Sequence, residues 1–250
     1  MSARSSAKSQ VPATGKNPAD DPSMAAKVLS QLIERGARVQ APAVRAYVER
    51  LRAGAADATP AELVTKLEKH YLAAVMASGA AVGSAAAFPG IGTLVAMSAI
   101  AGETVVFLEA TAVFVLAVAE VHGIPAEHRE RRRALVLAVL VGEDGKHAVA
   151  DLLGTGRTSG AWLSDGAAAL PLPAVSQLNS RLMKFFVKKY ALKRGAIAFG
   201  KMMPVGIGAV VGGVGNRMMG KKIIKNAQLA FGSPPPRWPS TLHILPVRQP

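Results

Sequence analysis

The chain has 250 residues, half of them hydrophobic but only 5% aromatic, with a formal net charge of +14 and no cysteine. An apolar content made mostly of Ala, Val and Leu favours close-packed helices over strands, and this length can bury a sizeable core as one domain or two small ones. The missing thiols exclude disulfides and thiolate metal sites, and they fit a cytoplasmic location.

The charge is unevenly placed. From Thr155 to the end, 14 Lys and Arg stand against Asp165 alone, a balance of +13 that leaves +1 for residues 1–154. A cationic C-terminal part beside a strongly apolar one points to an anionic partner surface, either lipid headgroups or nucleic acid.

Taken in order, residues 1–22 are rich in Ser, Ala, Pro and Lys and lack an apolar core, so they read as a disordered tail and not as a signal peptide. A helical module is expected over 23–154. Asp21-Pro22 offers a cap, and Ala25–Arg35 and Ala43–Arg52 carry apolar residues at helical spacing. Thr59-Pro60-Ala61-Glu62 is a capping box with Pro at the first helical position. The helix it opens should carry Leu63, Leu67 and Tyr71 on one face.

An apolar hairpin follows over 72–119. Across those 48 positions the only formal charges are Glu103 and Glu109. Phe88-Pro89-Gly90-Ile91-Gly92 breaks the run once, because Pro lacks a donor and the glycines relax the backbone. Of the 17 residues from Leu72 to Phe88, twelve are Ala, Gly or Ser. As a helix this segment spans about 26 Å, close to a hydrocarbon thickness of roughly 30 Å. Its small residues gain little by leaving water, but Gly79 and Gly83 form a G-x-x-x-G pair that invites another helix to pack closely. The second helix is expected from near Thr93 to about Val121. Glu103 and Glu109 within it need a polar partner, water or a proton. Either they form a polar site in a membrane helix or they turn toward the basic C-terminal part.

Arg129, Arg131, Arg132 and Arg133 come next, followed by apolar Ala134–Val141 and a helix from Glu143-Asp144 to about Leu153. With Lys66 and Lys69 these arginines would flank both ends of the hairpin, the arrangement the positive-inside rule gives for ends in the cytoplasm. The Gly-, Ser- and Pro-rich stretch 155–173 reads as a linker, with Trp162 tucked against the core.

A basic, glycine-rich module is expected over 174–232. From Ala174 to Phe199, Lys184, Lys188, Lys189 and Lys193 interleave with Leu182, Phe185, Phe186 and Tyr190, and the charges run nearly all round the helix. Such side chains can lie along a headgroup layer. Gly208, Gly212 and Gly215 fall at i, i+4 and i+7, a glycine face that needs a tightly packed partner. Lys221, Lys222 and Lys225 complete the module. Residues 233–250 hold six prolines and read as an extended or disordered tail.

No reaction is legible. Gly195–Lys201 and Gly215–Lys221 approach the phosphate-loop pattern, but Met202 and Lys222 stand where the metal-holding hydroxyl belongs. No cluster has metal-ligand spacing, and no cofactor is implied. His147 and Asp151 at i, i+4 read as a surface contact. Nucleic-acid folds are disfavoured because their motifs are absent.

The order of these features resembles the EcsC protein family of bacteria. The likeness rests on F-P-G-I-G-T at 88–93, A-E-V-H-G-I-P at 119–125, and K-M-M-P-V-G-I-G-A-V-V-G-G-V-G-N-R-M-M at 201–219, followed by K-N-A-Q-L-A-F-G at 225–232. It covers roughly residues 60–232. The chain departs from the family pattern in the 155–173 linker and in having few acids in the first apolar helix. The resemblance implies a helical, membrane-associated bacterial protein and no particular activity.

The expectation is therefore an all-α protein: an apolar helical hairpin packed with amphipathic helices and a glycine-zipped C-terminal helix. It would sit at the cytoplasmic side of the cell membrane, with the arginine cluster and the lysines from Lys184 to Lys225 on anionic lipid. Its glycine faces would be available to a protein partner or a second copy. The alternatives are a soluble interaction scaffold with the hairpin buried, and a hydrolase using Glu103 or Glu109.

Overall fold

The computed structural model describes Gln31 and residues 41–55, 57–85, 93–124, 126–143, 145–147, 163, 171–197 and 208–239. These form helices without a strand among the described residues: α1 (Ala41–Ala53), α2 (Pro60–Ala85), α3 (Thr93–Val121), α4 (Arg129–Val141), α5 (Leu172–Ile197) and α6 (Gly208–Phe231). The all-α expectation holds. The N-terminal tail, the helix expected at 25–35 apart from Gln31, the Pro89–Gly92 turn and most of the 155–173 linker, Trp162 included, lie outside the described residues, as does Asp151.

Helix α2 starts where its capping box places it. The Thr59 backbone N–H donates to Glu62 Oε2 at 2.8 Å, and the Glu62 N–H donates back to Thr59 Oγ1 at 3.3 Å. This satisfies two donors that the first turn would otherwise leave bare. The same bond holds the Glu62 carboxyl below its ordinary pKa. Buried Leu63, Leu67 and Tyr71 then lead into the apolar half of the helix.

Helices α2 and α3 run antiparallel. Thr111 Oγ1 donates to its own helix at Phe107 O (2.8 Å), so the buried Tyr71 hydroxyl donates to Thr111 (2.9 Å), while the Tyr71 ring stacks on Phe114 with centroids 4.7 Å apart. The most extensive helix contact is α2 with α6, which also run antiparallel. Gln228 near the end of α6 donates to Glu68 near the start of α2. Helix α6 thus lies beside the hairpin, parallel to α3.

Helix α4 is apolar on every side from Ala134 to Val141, all eight residues being buried, as a helix enclosed by others must be. Its donor is Asn226 of α6, which reaches Val139 O at 2.9 Å. Gly142 ends α4 at φ +74°, and a Cβ there would come within 2.7 Å of Asn226 Nδ2, so glycine is required on both counts. Helix α5 buries Val175, Leu178, Leu182 and Phe186. A distinct apolar stripe at helical spacing therefore exists where the dispersed charges gave no sign of one. Asn179 on that stripe donates to the Glu130 carbonyl (3.0 Å) and carboxylate (2.7 Å) of α4.

Two features show how the parts of the chain meet. The buried set forms one cluster drawing on both sides of residues 155–173, because α6 supplies the surface that covers α2. The first residues of the tail are also placed. After Gly232, the chain brings Trp238 back so that Nε1 donates to Ala58 O at 3.2 Å under the Arg52 guanidinium, 4.4 Å from the ring centroid. An indole with a hydrogen-bond partner and a cation over its face can anchor a chain that its prolines keep out of regular structure.

At this same end of the bundle, Arg45 of α1 pairs with Glu120 (3.1 Å) and Glu127 (3.2 Å). His122 sits beside the Phe231 ring at 5.3 Å and donates through Nδ1 to Val118 O (2.8 Å). Its Nε2 is buried and makes no hydrogen bond among the described residues. Burial pushes the His122 pKa down, against the opposing pull of the Val118 and Gly232 backbone. A folded pKa below the unfolded value of about 6.5 means the unfolded chain binds the extra proton first. The stability His122 contributes is therefore present above about pH 6.5 and is lost as pH falls through its folded pKa. Thermal unfolding followed from pH 7.5 to 5 is expected to weaken toward acid in the native chain, and His122→Leu is expected to flatten that decline. An unchanged acid slope in the variant would refute the assignment.

Candidate membrane-facing surface and its polar node

Twenty residues of α3, Gly102–Val121, are long and apolar enough to cross a membrane, and more than half of that stretch is buried inside the protein. The buried part lies toward Val121, where α1, α4 and α6 cover it. Toward Gly102 the covering thins, and Val106 is 46% exposed.

At that end three helices meet in one polar contact. Asn216 of α6, almost fully buried, donates its two amide hydrogens to Val75 O of α2 at 2.8 Å and to Glu103 Oε1 of α3 at 2.7 Å. Ser78 Oγ donates to the same Val75 carbonyl at 3.0 Å. An amide answering a carboxylate is a strong bond in a low-dielectric setting. Glu103 therefore does turn to the C-terminal helix, but it meets an amide there and not a base. Glu109, six residues on, is half-buried and outside this contact. The arrangement fixes helix register. Among the described residues no group of three or more His, Asp or Glu is placed to hold a metal ion.

The glycines divide. Gly79 is buried on α2, and Gly83, Gly208 and Gly212 fall outside the described side chains. Gly215, expected on the packing face, is exposed, and a Cβ there would meet nothing within 4 Å. The close approach runs instead through Gly213 and Gly220, seven residues apart with Asn216 between them. A Cβ at Gly220 would lie 3.0 Å from Leu72 Cδ2 and 3.1 Å from Val75 Cγ2. Of the i, i+4, i+7 set only Gly215 can be placed, and it lies off the packed side because Asn216, a lone amide in an apolar segment, marks the buried face. That amide was the usable signal. Asn179 and Asn226 bridge helices in the same way and were also passed over.

Of the basic residues, Arg129, Lys184, Lys221, Lys222 and Lys225 are exposed, whereas Arg131, Arg132 and Arg133 are half-buried. Arg132 donates to Ala126 O (3.0 Å) and Glu127 O (2.6 Å), securing the turn before α4. The side chains of Lys188, Lys189 and Lys193 lie outside those described. On α6, exposed Val214, Met218 and Leu229 share the outer face with the lysines.

No protein-family model, curated protein or solved structure matches the chain.

Proposed function

We propose that this is a non-catalytic, membrane-associated helical protein of the EcsC type that binds the anionic cytoplasmic leaflet. The observation that carries this reading is the outer face of α6, where bare Val214 and Met218 lie beside exposed Lys221, Lys222 and Lys225. Apolar side chains in the acyl boundary with cations at the headgroups are what an interfacial helix requires. The apolar stretch Gly102–Val121 and the +13 balance of the C-terminal part support it.

A lysine near an anionic surface contributes about 1 kcal/mol, so replacing Lys221, Lys222 and Lys225 with Gln is expected to weaken binding to phosphatidylglycerol vesicles about 100-fold. The check is co-flotation against phosphatidylcholine vesicles in a salt series. A purified chain that ignores vesicles of every composition would refute the proposal, and salt-sensitive affinity for duplex DNA in its place would favour nucleic acid.

A second reading, a soluble interaction scaffold, draws on the burial of more than half of the apolar stretch. It expects the whole chain to remain monodisperse without detergent and to stay out of the membrane fraction.

A further inference from the structure

The pairing of the three helices carries more than the sequence does. Gly213 of α6 faces Ala80 and Met76 of α2, Gly220 faces Leu72 and Val75, and Gln228 meets Glu68. On α3, Glu103 is level with Asn216, and His122 is level with Phe231. These contacts put all three helices on one axis.

Along that axis the charged side chains thin out at a single level, with Glu103 and Arg217 the two that lie above it. On α2, Glu62, Lys66, Glu68 and Lys69 all precede Leu72, and no charge follows on the helix. On α6, which runs the other way, Lys221, Lys222 and Lys225 all follow Gly220. On α3, Glu109 lies just below this level, and the one acid above it, Glu103, is bound to Asn216. Arg217 is the one base above the level. It sits four residues before Lys221, about 6 Å along the axis, within reach of the lysine layer for so long a side chain. One antiparallel helix loses its charges along the chain and the other gains them, yet the changes meet at Leu72 and Gly220. Above this level the exposed residues include Ala73, Ala77, Ala81, Val106, Val214, Met218 and Met219.

Building on the lipid-binding reading, we infer that the tip of this three-helix bundle is inserted to the level of Leu72 and Gly220, penetrating one leaflet and not crossing the bilayer. Leu72–Ala85 and Gly208–Gly220 extend about 21 and 20 Å along their axes. A bilayer is about 40–45 Å thick with its headgroups, so the described helices above this level match the depth of one leaflet. The occupant of the tip surface is an anionic leaflet, because Lys221, Lys222 and Lys225 form a cationic step directly beneath an apolar collar. Helix α3 cannot slide deeper as a spanning segment, since its lower half is held by the Tyr71–Phe114 stack and the Arg45–Glu120 pair.

The chain has no native cysteine, so single cysteines can report depth in the full-length protein. Ala77→Cys and Met218→Cys, each carrying an environment-sensitive fluorophore, are expected to shift to the blue and to be quenched by spin-labelled lipid. The probes are phosphatidylcholine–phosphatidylglycerol vesicles. Labels at Thr65→Cys and Leu229→Cys are expected to stay in water. Thr93→Cys, at the first residue of α3, is expected to resist impermeant thiol reagents on both sides. Met218→Asp is expected to weaken vesicle binding at least tenfold with the melting temperature unchanged. Reaction of Thr93→Cys with reagent trapped in the lumen would overturn the inference in favour of a span. Vesicle-bound protein whose tip labels remain in water would overturn it in favour of surface adsorption. Either result leaves lipid binding standing, whereas failure of the native chain to bind any vesicle removes both.

Discussion

Asn216→Ala is expected to lower stability by about 3 kcal/mol, because it strips a hydrogen bond from a half-buried carboxylate and leaves the Val75 carbonyl without its Asn216 donor. For a chain of this size that corresponds to a fall of roughly 6–12 °C in melting temperature. The diagnostic is a double-mutant cycle. If Glu103 and Asn216 act as a pair, replacing both with Leu should be less damaging than the sum of the single changes by about 1–2 kcal/mol. Additive single effects would mean the two groups merely sit near one another. Circular dichroism melts of the four proteins in one buffer decide the matter.

Gly220→Leu is expected to be the other damaging change, at about 3 kcal/mol or more, and Gly215→Ala its opposite. At Gly220 even a Cβ meets Leu72 and Val75 at 3.0–3.1 Å. A whole isobutyl group must push α6 away from α2 and open the bundle's most extensive contact. At Gly215 nothing lies within 4 Å, so alanine removes glycine's helix penalty and should add about 0.5–1 kcal/mol. The two substitutions lie on one helix, five residues apart, and should move the melting temperature in opposite directions. If both destabilise, the glycine face has been assigned to the wrong side.

Much of the local structure was legible. The Thr59–Glu62 box marked the start of α2 because capping is settled within four residues of chain. The apolar run bounded α3 near Thr93 and Val121 because an almost uniformly apolar stretch of this length, opened after the Pro-Gly break and closed before His122-Gly123, is too long for a strand. Helix α5 was legible as a helix but not as an amphipathic one, since charges close to an apolar stripe in sequence can project to either side of it. Trp238 sits in a stretch whose prolines argued against order, and its anchor, Ala58 O, lies 180 residues away. No local pattern encodes such a contact.

The amino-acid sequence by itself determined an all-α chain, an apolar stretch with two acids, and a cationic C-terminal part, because each follows from composition and short-range spacing. Only the tertiary structure decided that Glu103 answers Asn216, that Gly213 and Gly220 pack closely on α2, and that most charges on three helices lie to one side of a common level. Those outcomes depend on the register and direction in which distant helices meet. Register is set by side-chain fit between surfaces that the chain order leaves far apart.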